Sequence, residues 1–206
     1  NLLFIKKNKI YTPTKGYYEG NTFKFFKSKI KKIIKSKESL DILVNSAGII
    51  HGGLFQMTQI SEIKDVFDIN FFGMLEVTQL VSKYMIRKKN GSIINIASVA
   101  GIDLSKGNCA YGTSKSAVIA FSKTLSSELS NFGIRVNVIA PGLTNTDMAK
   151  TCEAKKEREA LEKGTKPFDR IAEPEEISYI ATFLASDKAS FINGETIRVD
   201  GGNRFL

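Results

Sequence analysis

A chain of 206 residues, 42% of them hydrophobic, has room for one sizeable core and little for two; sixteen glycines, four prolines and no low-complexity tract or short repeat exclude a linker-rich or disordered protein. Thirty Lys and Arg against 21 Asp and Glu leave a formal charge of +9, a balance shared by nucleic-acid binders and by proteins that handle acidic ligands, so the position of the charge has to decide. No apolar run approaches the roughly 20 residues of a membrane span, and Asn1 to Ile10 lacks the apolar region and cleavage site of a secretory signal, so a cytoplasmic protein with no membrane partner is expected.

In chain order, the charge concentrates first. Lys24, Lys27, Lys29, Lys31, Lys32, Lys35 and Lys37 alternate with Phe23, Phe25, Phe26, Ile30, Ile33 and Ile34, which predicts a basic amphipathic helix with a solvated lysine face over a buried Phe/Ile face. No aromatic stacking platform or recognition motif accompanies it, so no nucleic-acid partner is expected. Leu40 to Gly48 (LDILVNSAG) reads as a strand buried on both faces and ended by a small-residue turn. Ile60 to Lys88 carries Ile63, Val66, Phe67, Phe71, Leu75, Leu80, Val81 and Met85 at helical spacing, a helix pair or one long helix. Ser92 to Ala97 (SIINIA) predicts a second strand, followed by the small-residue segment Ser98 to Gly101, and Tyr111 to Phe132 predicts a helix. Ile134 to Ala140 (IRVNVIA) reads as a third strand, Glu173 to Ala185 as a helix with Pro174 at its start, and Glu195 to Val199 as a fourth strand.

Strands alternating with helices predict an α/β protein with a single Rossmann-like, doubly wound parallel sheet. In such sheets ligands bind beyond the carboxyl ends of the strands. That directs attention to Asn45–Gly48, Ser98 and Pro141–Thr146.

Tyr111 and Lys115 stand four residues apart in a helical segment, so their side chains share a face one turn from each other. A phenol with an ordinary pKa near 10 is a poor acid–base catalyst at neutral pH, and a neighbouring ammonium favours its phenolate. Ser98, at the end of a buried strand, can donate a hydrogen bond to a carbonyl oxygen on which charge develops. Taken alone the Tyr–Lys spacing is weak, because such pairs occur by chance in many helices. Cys109 and Cys152 show neither CxxC spacing nor a His-rich neighbourhood, so free thiols are expected rather than a metal site or disulfide scaffold. Cys109 reads as a buried small residue or a pocket-lining one. His51, the single histidine, reads as a solvated or substrate-adjacent loop residue.

Several of these segments, in one order, resemble the short-chain dehydrogenase/reductase family. NSAG at Asn45–Gly48 is similar to the family's NNAG, with Ser46 in place of the second asparagine, and Asn70 in DINFFG is similar to its helix asparagine. Ser98 in NIASVAG and Tyr111–Lys115 (YGTSK) match its serine and YxxxK; PGLTNT at Pro141–Thr146 and VDGG at Val199–Gly202 are similar to its later motifs, and the likeness runs from about Glu19 to the C-terminus. The resemblance implies hydride transfer between NAD(P)(H) and a carbonyl or alcohol. Tyr111 would protonate the alkoxide, Ser98 would orient the carbonyl, and Lys115 would lower the tyrosine pKa and bind the nicotinamide ribose. Asn70 would hold a water that feeds the relay, or bridge backbone beside a helix irregularity; the two are compatible. The cofactor-binding set it implies is Asn45, Ala47, Gly48, Tyr111, Lys115, Pro141, Gly142, Thr144 and Thr146. Of these, Asn45 reads as a strand-to-strand fastener more readily than as a ligand group, while Ala47 and Gly48 leave room for the adenosine ribose. A homo-oligomer, usually a tetramer in this family, is implied as well.

One departure stands out. The family's TGxxxGIG pyrophosphate turn is not found, and before Asn45 the only glycines are Gly16 and Gly20. A βαβ unit takes about 30 residues, and the expectation is that an N-terminal portion of that size lies outside the sequence; the alternative is a protein that has lost its phosphate cradle. On the first view Leu2 to Ile5 is the second strand of the sheet. Lys6, Lys7 and Asn8 then fall where the adenosine 2′ position is read and favour NADPH, or they are ordinary surface residues. Glu19 or Asn21 would then stand in for the adenine-contacting aspartate. The C-terminal tail resembles the β-ketoacyl-acyl-carrier-protein reductase branch, implying a 3-oxoacyl thioester on an acidic carrier, which Arg87, Lys88 and Lys89 would suit unless they are simply solvated. A sugar, steroid or small-alcohol dehydrogenase, and a catalytically silent scaffold subunit, are the competing readings.

Overall fold

The structure, a computed structural model, describes residues 2–6, 9–11, 40–150 and 170–202. The lysine-rich segment 23–37, Lys7, Asn8, Glu19, Asn21 and Cys152 lie outside the described residues.

Six strands form one sheet in the order β2-β1-β3-β4-β5-β6: β1 is Leu2–Lys6, β2 Lys9–Tyr11, β3 Ile42–Asn45, β4 Gly91–Ile96, β5 Ile134–Pro141 and β6 Thr196–Val199. Strands β3 to β6 run parallel. Helix α1 (Ile60–Phe67), a π turn (Asp68–Phe72) and α2 (Gly73–Lys88) follow β3; α3 (Cys109–Leu129) follows β4; and α4 (Pro174–Ala185) precedes β6. The Rossmann-like parallel arrangement expected from the sequence is therefore present. The N-terminal pair differs from expectation. β1 runs antiparallel to β3, and β2 antiparallel to β1. A link as short as Lys7–Asn8 between paired strands permits only a hairpin, whereas a parallel partner needs a crossover of a dozen residues or more.

Alternate residues of the central strands face opposite cores. Leu43, Ile93 and Val136 pack with Val77, Val81 and Met85 of α2 and Leu129 of α3. Val44, Ile94 and Ile139 pack on the other face against Leu184, with Ile177 and Ile180 of α4 beside them. Burying each such side chain contributes about 1.5–3 kcal/mol, but with both faces apolar this alone does not fix the register of neighbouring strands. Asparagines do. Asn45 and Asn95 are register partners, and Asn45 Nδ2 donates to Asn95 Oδ1 at 2.7 Å in a fully desolvated place. Asn45 Nδ2 also donates to Thr78 Oγ1 of α2 and Asn95 Nδ2 to Ser122 Oγ of α3. A one-residue slip would strand these amides at roughly 1–3 kcal/mol each. The strand-fastening reading of Asn45 is what the geometry gives.

The helix over 60–88 is a single run through the π turn, with helical backbone at both junctions. Asn70, 1% exposed, sits inside that turn. Single π turns within α-helices commonly mark functional sites. No helix of the described residues is long and apolar enough to cross a membrane.

Candidate active site

The groups singled out from the sequence meet beyond the carboxyl ends of β3 and β4. Strand β4 ends at Ile96, and Ser98 caps the 3-10 turn Val99–Gly101 in extended conformation, its Oγ accepting from Ala100 N–H at 3.2 Å. With its acceptor side engaged, the hydroxyl hydrogen of Ser98 is available to donate outward.

That turn is pressed against the first turns of α3 by two glycines. A Cβ at Gly101 would lie 2.7 Å from the Lys115 carbonyl carbon, and one at Gly112 would lie 2.8 Å from Ala100 O. Neither position has room for a side chain, so turn and helix touch backbone to backbone. Ser116 Oγ donates to Gly101 O at 2.7 Å and fastens the contact. This packing sets the turn that Ser98 caps against the first turns of α3, which carry Tyr111 and Lys115. Gly101, Gly112 and Ser116 were not singled out from the sequence; the signal was present only as small residues flanking the two motifs.

Lys115 is 5% exposed, and its Nζ donates to Ile96 O at 3.0 Å. Burial lowers its pKa from 10.5 to about 8. The Nζ lies 5.8 Å from the centre of the Tyr111 ring, and Tyr111 is itself buried. The spacing of four along the helix thus becomes a contact between ammonium and aromatic ring.

Asn70 ties the third wall in place. Its Oδ1 accepts from Ile49 N–H at 2.8 Å, while Nδ2 donates to Ile49 O at 2.9 Å and to Ser114 Oγ at 3.0 Å. Ser114, inside YGTSK, donates in turn to Tyr111 O. The side chain therefore clamps the loop after β3 to the helix of the Tyr–Lys pair, the bridging expected beside a helix irregularity. A Cβ at Gly48 would stand 3.2 Å from both Asn70 Oδ1 and Lys115 Nζ, so glycine lets the loop after β3 approach the buried ammonium closely. Ala47 lies in the same half-buried turn.

The segment after β5 closes the far side. Gly142 N–H donates to Val199 O, Thr144 Oγ1 to Gly142 O and Thr146 Oγ1 to Thr144 O. Thr144 bridges to Ala172, and Asn145 Nδ2 reaches the Glu173 carboxylate at the start of α4. Pro141 is the last residue of β5, so the whole segment begins at the strand's carboxyl end.

Six other residues fall away from this centre or take ordinary partners. His51 Nε2 lies 3.7 Å from Glu62 Oε1 on the loop after β3. Cys109 opens α3 and is exposed, not buried. Lys6 ends β1, whose antiparallel register pairs Leu2 with Asn45 and Ile5 with Ile42. It therefore sits at the end of the sheet away from Gly48, and its expected role beside the adenosine 2′ position is not supported by this arrangement. Arg87, Lys88 and Lys89 end α2 and immediately precede β4, at the opposite end of that strand from Ser98; Arg87 and Lys88 stand over the Tyr84 ring at 5.8 and 5.9 Å.

The donor set fits the nicotinamide–ribose half of a dinucleotide: the buried Lys115 ammonium, beside Gly48, gives one N–H to Ile96 O and matches a pair of ribose hydroxyls with the others. The arrangement can also polarise a carbonyl through Ser98 and deliver a proton from a phenol held next to a cation.

Comparison with known proteins agrees. A family model described as enoyl-(acyl carrier protein) reductase matches residues 23–204. A 3-oxoacyl-[acyl-carrier-protein] reductase from Thermotoga maritima is 38% identical over 176 residues, covering 85% of this chain and 71% of the relative. The Synechocystis enzyme of the same name is 38% identical over 174 residues, 84% of this chain and 68% of the relative. Among solved structures, "ElxO with NADP Bound" superposes with a TM-score of 0.80 at 28% identity, covering 90% of this chain and 76% of that one. A 3-oxoacyl-[acyl-carrier protein] reductase from Brucella melitensis superposes at 0.77 with 30% identity, over 89% and 70% of the two chains.

Proposed function

The chain belongs to the short-chain dehydrogenase/reductase family and is an NAD(P)-dependent oxidoreductase, and we propose that it uses NADPH to reduce the ketone of a 3-oxoacyl thioester borne on an acyl-carrier protein. The observation that carries this reading is the buried Lys115 Nζ beside Gly48 and the Tyr111 ring, on a helix against which the turn capped by Ser98 is packed. The names of the relatives direct it to a 3-oxoacyl substrate, and the NADP-bound neighbour to NADPH.

The bound nicotinamide would supply the hydride. As the carbonyl carbon receives it, negative charge grows on the carbonyl oxygen. Ser98 Oγ–H donates to that oxygen and lowers the cost of the charge. The Tyr111 hydroxyl transfers its proton to the same oxygen, forming the alcohol and leaving a phenolate. Lys115, 5.8 Å from the ring, stabilises that phenolate while its remaining N–H groups hold the ribose hydroxyls. Ala47, Gly48, Pro141, Gly142, Thr144 and Thr146 line the cofactor's place. Asn70 keeps the Ile49 loop and Ser114 in register, so that proton return from solvent to Tyr111 passes along a fixed wall. The same reading makes the protein cytoplasmic and a homo-oligomer, a tetramer by family resemblance, which light scattering on the purified protein would test.

The test is a turnover assay with NADPH or NADH and matched thioesters, one a 3-oxoacyl and one a 2-enoyl. Consumption of NADPH with the 3-oxoacyl compound is expected. Reaction only with the enoyl compound, which the description of the family model would suit, would overturn the substrate assignment. In the same assay Ser98→Ala is expected to lower kcat by roughly 10²–10³, the size seen when one donor to a developing oxyanion is removed. Unchanged turnover would remove Ser98 from the reaction.

A further inference from the structure

Arg198 lies on β6, immediately before the VDGG segment, and joins the two loops that flank the site. Its Nη2 donates to Asp103 Oδ2 at 2.6 Å and to Asp200 Oδ2 at 2.7 Å, and its Nε reaches Asp200 Oδ2 at 3.1 Å. Each carboxylate is itself anchored. Asp103 follows the Ser98 turn, and its N–H donates to Val99 O at 2.8 Å. Asp200 Oδ1 accepts from Gly202 N–H at 3.1 Å, and a Cβ at Gly142 would lie 2.9 Å from Asp200 Cβ, so Asp200 packs directly on the segment after β5. On β5 the residue paired with Arg198 is Ala140. A continuous chain of contacts therefore runs from Gly142 through Asp200, Arg198 and Asp103 to the turn capped by Ser98.

We propose that Arg198 is a positioning residue for carbonyl reduction: by bridging Asp103 and Asp200 it fixes the Ser98 turn relative to the Pro141–Gly142 segment, and hence the carbonyl's donor relative to the place of the nicotinamide. The inference rests on the reading given under Proposed function. Side chains of Arg198 and Asp103 are each 26% exposed, and a half-exposed ion pair adds little global stability. Its effect belongs instead in alignment, where a small displacement of a donor is costly to rate. A planar fork suits the task, since one guanidinium serves two carboxylates that an ammonium would have to share through a single point.

The experiment is a double-mutant cycle on the purified protein, read by steady-state kinetics and by hydrogen exchange of the nucleotide-free form. Arg198→Met is expected to lower kcat about tenfold and Asp103→Asn about fivefold, with KM for NADPH held within about twofold. Because they act through one contact, Arg198→Met/Asp103→Asn together should lose about tenfold, not the roughly fiftyfold of independent sites. Arg198→Lys should recover part of the loss. Amides of Gly101, Ile102 and Asp103, bonded within the Ser98 turn, should exchange faster in Arg198→Met while the core strands stay protected. Multiplicative losses, unchanged kcat, or unaltered exchange at 101–103 would each overturn the proposal. A wild-type protein that turns over no thioester would sink the functional reading instead; exchange at 101–103 would still decide whether Arg198 holds the turn.

Discussion

Replacing Tyr111 with Phe should lower kcat by roughly 10²–10⁴, or about 3–5 kcal/mol of barrier, while NADPH binding stays within a few-fold of wild type. The substitution removes one oxygen from a buried ring and leaves the ring's packing and its contact with Lys115. Ser114 keeps its partner, because it bonds to the backbone oxygen of residue 111. What disappears is the proton donor for the alkoxide. Water cannot take its place efficiently at a position that is 8% exposed. The split between kcat and binding is the informative quantity, measured by steady-state kinetics alongside fluorescence titration of NADPH. Equal losses in both would make Tyr111 a binding residue.

Lys115→Met should be nearly as severe for turnover, by about 10²–10³, since a preorganised charge beside the developing phenolate is lost together with a ribose ligand. Its pH signature is more specific. The Lys115 pKa is lowered to about 8 by burial, so in the free enzyme the ammonium is lost as pH rises through that value. Wild-type kcat/KM for reduction should therefore fall on the alkaline side with an apparent pKa near 8. Lys115→Arg, which keeps a cation, should move that limb upward; a limb that stays in place would assign it to another group.

The same shift has a consequence for stability. Since the folded pKa, about 8, lies below the ordinary lysine value of 10.5, the unfolded chain holds more protons between these two pH values, and stability should rise with pH across that window. Below about 8 the full cost of the buried charge is present, about 3 kcal/mol. Lys115→Met abolishes it and gives up the hydrogen bond to Ile96 O, so the nucleotide-free variant should melt a few degrees higher at neutral pH. A lower Tm would contradict the assignment of Lys115 as a residue held for function at a cost in stability.

How far the sequence alone leads can be seen residue by residue. Apolar runs such as SIINI and IRVNVIA announce strands buried on both faces, and the structure places them so because helices cover both sides of the sheet. Ser98, Tyr111, Lys115 and Asn70 were singled out because several motifs in one order resemble a known family; the spacing of Tyr111 and Lys115 alone would not have done so. The π turn was not: DINFF keeps an apolar spacing that suits either helix, and only the shift of its backbone hydrogen bonds distinguishes them. The close approach of Gly101 and Gly112 to opposing backbone depends on how a turn and a helix dock, which no local pattern encodes. Arg198 and Asp103 are 95 residues apart, so their pairing exists only once β6 lies beside β5. The N-terminal strand shows the limit in the other direction. Its apolar residues predicted a strand correctly, but not its direction: β1 runs antiparallel to both β2 and β3.

The measurement that tests the central claim most directly is transfer of label from NADPH carrying deuterium at the reactive nicotinamide position to a 3-oxoacyl thioester, followed by mass spectrometry of the product. A 3-hydroxyacyl thioester with one deuterium on the carbinol carbon is expected, formed by wild type and nearly absent with Tyr111→Phe. Product without deuterium, or equal yields from the two proteins, would contradict it.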